Sequence, residues 1–107
     1  MDWNSQNNSA IIKEIGKRIK EYRIRKKMTQ QEVAERAGIS LFTVAQIEQG
    51  KSVSLSSLIP VLRVLRLLDN LELLLPEMGP SPIEMMKRAG KIPQRIRPAR
   101  KDNERRG

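Results

Sequence analysis

The stretch MTQQEVAERAGISLFTVAQIEQGK, residues 28–51, leaves the backbone little choice. Thr29 followed three residues later by Glu32 is a capping box, in which each side chain satisfies a backbone N–H that a helix start leaves unpaired. Met28 and Val33 flank it as a hydrophobic staple, which sets the angle at which the chain enters the helix. Gly38 ends that helix, because glycine takes the left-handed conformation of a helix stop without a Cβ penalty. Ser40 then caps a second helix, with Ile39 and Val44 as a second staple, and Gly50 closes it. Two short helices joined by so tight a turn form a helix-turn-helix unit.

Within the second of these helices, the side chains can be placed at about 100° per residue. Val44 and Ile47 mark the inward face. Phe42, the only Phe of the chain, and Gln46 then point away from it, and Leu41 lies on the flank. Ser40 and Thr43 sit at the amino-terminal end, which the helix dipole makes attractive to phosphate. Phe42 has three readings. It folds back as peripheral core, it meets a thymine methyl in a DNA major groove, or it forms a patch for a protein partner.

The rest of the chain also reads as helix. Aromatic content is 3% and no clean alternation stands out, so strands are not expected and the fold class is all-α. A helix from Ser9 to Lys26 carries Ile12, Ile15, Ile19 and Tyr22 as one apolar stripe. Leu55, Leu58, Leu62 and Leu65 line one face of a helix in SLSSLIPVLRVLRLL, where Pro60 predicts a late or distorted start behind Ser57 rather than Ser54. LDNLELLL opens a short fifth helix with Asp69 as cap and Glu72 three residues on. PEMGPSP breaks the pattern. In SPIEMMKRAG, Ser81 caps, Pro82 takes the favoured first position, Glu84 completes a box and Gly90 stops the helix. The expected organisation is a polar arm over 1–8, a helix-turn-helix domain over 9–75, a linker over 76–80 and a short helix over 81–90. A basic tail over 91–107 has little to bury and is expected to be disordered when free.

With 107 residues the chain can bury one modest core. Its formal net charge is +9, which favours a polyanionic partner. Residues 1–86 carry 12 basic and 10 acidic residues, and residues 87–107 carry 9 basic and 2 acidic, so the tail holds most of the surplus. A second basic patch, KEIGKRIKEYRIRKK, spans residues 13–27. There is no His and no Cys, which excludes imidazole bases, thiol nucleophiles, disulfides and Cys/His metal sites. No phosphate-cradling Gly-rich loop is present either, so no enzymatic role, catalytic residue, metal or cofactor is expected. The amino-terminal residues lack a signal pattern and no apolar run approaches a membrane span, which points to a cytoplasmic protein, nucleoid-associated when bound to DNA.

The segment MTQQEVAERAGISLFTVAQIEQGKS resembles the lambda-repressor-like, Cro/C1-type helix-turn-helix family, also called XRE. The likeness extends over about residues 9–75. It rests on the Thr29–Ala34 opening, Gly38 in the turn, Ser40 at the cap, and Ile47-Glu48 ahead of Gly50-Lys51. It implies a five-helix DNA-binding domain that dimerises on a palindromic operator in double-stranded DNA. It also implies that Gln30, Ser40, Leu41, Phe42, Thr43 and Gln46 approach the DNA. Leu41 and Phe42 depart from the polar types usual at those positions. Lys51 is well placed beside a groove. Lys17, Arg18 and Lys27 are candidate phosphate contacts, although a charge run of this kind also reads as a solvated helix face. Leu67, Leu68, Leu71, Leu74 and Leu75, with Leu73, offer more apolar surface than one small core needs. They are expected to form a homodimer interface, or else to be absorbed into the core.

A narrower resemblance is to HipB-type antitoxins, which pair with HipA-like serine/threonine kinase toxins. It rests on LLDNLELLLPE, then SPIEMMKRAGK, then the basic Arg/Pro tail. It implies repression of a shared operon and a hold on the kinase, with a further small subunit as a potential third component. Ile83, Met85 and Met86 form an adaptable apolar face suited to such a partner or to the domain's own surface. A stand-alone or phage-type repressor, and a protein-interaction adaptor on the same fold, are the alternative roles.

Overall fold

The computed structural model describes residues 1–90; the basic tail 91–107 lies outside the described residues. The chain divides into two units, Met1–Leu75 and Pro76–Gly107. In the first, a 3-10 turn at Trp3–Ser5 precedes α1 (Asn8–Arg25), α2 (Gln30–Ala37), α3 (Leu41–Glu48) and α4 (Leu55–Val64), and a second 3-10 turn at Leu68–Asn70 runs into α5 (Leu71–Leu74). The second unit contains α6 (Pro82–Arg88). The fold is all-α, with no strand among the described residues. No helix among them is long and apolar enough to cross a membrane.

Helix starts follow local chemistry. Asn7 caps α1 by accepting from the Ala10 N–H at 2.8 Å. At α2 the Thr29 hydroxyl accepts from the Glu32 N–H at 3.0 Å, and the Glu32 carboxylate accepts from the Thr29 N–H at 2.7 Å. The same reciprocal pair joins Ser81 and Glu84 at α6, with Pro82 in the first position. Helix ends are more uniform than glycine placement predicts. After α2 and α3, Gly38 (φ 71°) and Gly50 (φ 82°) take the left-handed turn. After α1 and α4 the same turn is made by Lys27 (φ 58°) and Arg66 (φ 62°). In each of these two, the next N–H reaches back to complete the stop: Met28 to the Arg23 carbonyl at 3.1 Å, Leu67 to the Leu62 carbonyl at 2.8 Å.

The core consists of Ile19, Val33, Ala34, Val44, Ile47, Val61 and Leu65. Four sequence expectations are corrected here. On α1 the buried face runs through Gly16 and Ile19, with Ile12 and Arg23 half-buried, while Ile15 and Tyr22 are exposed. The reason is Gly16: a Cβ there would collide with the Ile47 carbonyl oxygen, so only glycine lets α1 lie against the end of α3. On α4 Leu58, Leu62 and Leu65 lie in or against the core as expected, but the fully buried partner is Val61, and Leu55 is exposed. That helix is not delayed by Pro60. Ser54 caps it, accepting from the Ser57 N–H at 3.3 Å, and Pro60 lies inside. Full burial of Val61 and Leu65 in the following turn offsets the one backbone bond that Pro60 forfeits. Finally, Asp69 does not cap α5; it lies within the 3-10 turn, and Asn70 precedes the helix without a side-chain cap bond.

Candidate nucleic-acid interface

The two central helices are held by a polar cluster that joins three elements. The Arg23 guanidinium donates to both Glu48 carboxylate oxygens, at 2.6 and 3.0 Å, and to the Met28 carbonyl at 2.8 Å. The Gln30 amide donates to the same carboxylate at 2.9 Å. The Arg23 and Glu48 side chains are 12% and 3% exposed, so the pair is shielded from water. Hydrogen bonding to Glu48 raises the Arg23 guanidinium above its ordinary pKa. This cluster ties the end of α1 and the start of α2 to the end of α3. Sequence reasoning read Arg23 only as one of a run of surface cations and gave Glu48 no partner. The signal was faint: one acid on a helix with no other charge, 25 residues from the base it pairs with.

With its base fixed, α3 presents its other face outward. Val44 and Ile47 are buried, as the helical wheel predicts. Phe42 is 69% exposed and Leu41 45% exposed, which removes the peripheral-core reading of Phe42. Gln46 and Thr43 are half-buried. The Ser40 hydroxyl accepts from the Thr43 N–H at 3.0 Å and pairs with the Thr43 hydroxyl at 2.8 Å. Ser40 therefore spends its side chain on holding the helix tip. Gln30 likewise has its amide nitrogen engaged by Glu48, and its backbone N–H, in the first position of α2, has no partner within the helix.

The candidate cations are exposed but differ in surroundings. Lys51 follows Gly50, whose backbone lies against Lys13. Lys17 and Lys27 are exposed, and Lys27 makes the left-handed turn that ends α1. Arg18 is engaged on another flank of α1. It donates to Glu14 at 2.8 Å, and its guanidinium stacks 4.8 Å above the centre of the Trp3 ring. Hydrogen bonding to Arg18 lowers the Glu14 carboxyl below its ordinary pKa.

Of the leucines considered for dimerisation, Leu67 packs against the core and Leu68 is half-buried. Leu71, Leu73, Leu74 and Leu75 are exposed. In the second unit Ile83, Met85 and Met86 are exposed as well.

A capped helix that leaves Phe42 and Leu41 exposed, packed on a second short helix across a glycine turn, has the arrangement of a helix-turn-helix unit. The comparison with known families agrees. Residues 19–68 match the family model described as helix-turn-helix, a match that supports a DNA-binding transcription regulator. No curated protein matches the chain.

Proposed function

We propose that the protein is a sequence-specific transcriptional repressor that binds a palindromic operator as a homodimer. The observation that carries this reading is the outward face of α3, where exposed Phe42 and Leu41 stand beside Gln46 on a helix that the Arg23–Glu48–Gln30 cluster holds in place. In the proposed complex α3 lies in the major groove. Phe42 and Leu41 meet thymine methyls, Gln46 offers its amide to adenine, and Gln30, Ser40, Thr43 and Lys51 address the adjoining backbone. The homodimer forms through Leu71, Leu74 and Leu75, with Leu67 and Leu68 beneath them, which sets the half-sites about one helical turn apart. No cofactor, metal or catalytic group takes part, and the setting is the cytoplasm.

The proposed biological role is that of a HipB-like antitoxin that represses an operon shared with a HipA-like kinase. Exposed Ile83, Met85 and Met86 on α6, followed by the basic tail, supply the contact with that kinase. The test uses the full chain and duplexes tiled over its own promoter, read by fluorescence anisotropy. Specific binding is expected, and Phe42→Ala should weaken it by roughly 1–3 kcal/mol without altering the salt slope. If no promoter duplex binds while a kinase-like neighbour co-purifies, the chain is an adaptor and the repressor reading fails. If duplexes bind and no kinase co-purifies, the antitoxin role falls and a stand-alone repressor remains.

A further inference from the structure

The cations of α1 are not spread evenly around it. At about 100° per residue, Lys13, Lys17 and Lys20 fall within about 60° of one another, on one side of the Gly16–Ile19 face. Glu14, Arg18, Glu21 and Arg25 occupy the outer side beyond, where two acids and two bases cancel. Lys13 and Lys20 are seven residues, or two turns, apart, about 10 Å along the helix. Lys27 follows after seven more, at the left-handed turn that ends α1. All three are exposed, and among the described residues none of them pairs with a carboxylate. Lys17 sits at the edge of the set, close enough to Glu14 to act on its carboxyl.

The packing of α1 shows which way this lysine flank faces. Gly16 lies against the Ile47 and Glu48 carbonyls, and Gly50 lies against Lys13. The flank therefore emerges beside the end of α3. The opposite flank turns towards α4: Ile12 and Ile15 share an apolar cleft with Val53 and Leu58. Lys13 thus lies beside the end of the reading helix, with Lys20 two turns on along the same flank, and the side facing α4 is apolar.

We propose that Lys13, Lys20 and Lys27 form a phosphate track along α1, flanking the groove that α3 enters. This deepens the repressor reading and rests on it. The track carries the electrostatic share of binding that α1 supplies, whereas Arg18, held by Glu14 and Trp3, and Arg25 supply none. The track is independent of base sequence, so it sets register and affinity while α3 sets specificity.

The experiment measures binding of the full chain to a duplex selected from a randomised pool, at a series of salt concentrations. The triple variant Lys13→Gln/Lys20→Gln/Lys27→Asn is compared with Arg18→Gln/Arg25→Gln; Asn is chosen at 27 because it tolerates the left-handed turn. Each lost phosphate contact lowers the slope of log affinity against log salt by about 0.9, so the triple variant should lose roughly two to three units. The arginine variant should keep the wild-type slope, and both variants should keep the wild-type melting temperature within a few degrees. Equal slope losses in the two variants, or no loss in the triple variant, would overturn the track. A wild-type chain that selects no duplex would instead overturn the repressor reading itself.

Discussion

Glu48 is the residue on which most other placements depend. It accepts from Arg23 and from Gln30 and lies almost wholly out of water. Removing it leaves a shielded guanidinium with only the Met28 carbonyl as acceptor, and the Gln30 amide without its partner. Glu48→Ala is therefore expected to lose about 3–5 kcal/mol in urea unfolding, the range for breaking a buried pair. The double variant Arg23→Met/Glu48→Leu should recover a large part of that loss, since an apolar pair removes both charges together. If the double variant is as unstable as the single one, the cluster acts through shape and not through unpaired charge. Gly16 makes a second demand at this scale. A methyl group there meets the backbone of α3, which cannot rotate away as a side chain could. Gly16→Ala should lower stability by roughly 1–3 kcal/mol despite the better helix propensity of Ala, as overpacking does. Phe42 is the contrasting case: it is exposed, so Phe42→Ala should leave the melting temperature nearly unchanged.

At the scale of elements, the helix stops invite a test that concerns stability alone. Lys27 and Arg66 hold positive φ values that side chains with a Cβ adopt only at some expense. Arg66→Gly should raise stability by about 1 kcal/mol, read as an upward shift in melting temperature, because glycine relieves that strain without touching the core. No gain would mean that the added freedom of glycine in the unfolded chain cancels the relief. The starts of α2, α3 and α6 were legible in the sequence because a cap needs only residues three apart. The face that α1 turns inward was not. Its apolar spacing fits Ile12, Ile15, Ile19 and Tyr22 equally well as one stripe, and a glycine carries no hydrophobic signal. Similarly, Leu55 and Leu65 look alike on a helical wheel, and what separates them is where α1, α2 and α3 lie. Phe42 was legible as an outward residue, because Val44 and Ile47 fix the wheel on their own.

At the scale of the whole molecule, the exposed leucines after the last core residue matter most. Leu71, Leu74 and Leu75 are exposed and would be expected to associate. Sedimentation at micromolar concentration should give a dimer. Leu71→Glu/Leu74→Glu/Leu75→Glu should give a monomer that stays folded, since none of the three lies in the core. A variant that unfolds, or a wild type that sediments as a monomer, counts against the proposed interface. By itself the sequence determined where α2, α3 and α6 start, that Gly38 and Gly50 stop the two central helices and that a helix-turn-helix lies at the centre, because these rest on hydrogen bonds between residues a few positions apart. The tertiary structure decided the facing of α1, the partner of Glu48 and the side on which the lysines emerge. Those depend on contacts between residues 25 or more apart in the chain, as with Arg23 and Glu48 or Gly16 and Ile47, and no local pattern encodes the angle at which one helix meets another.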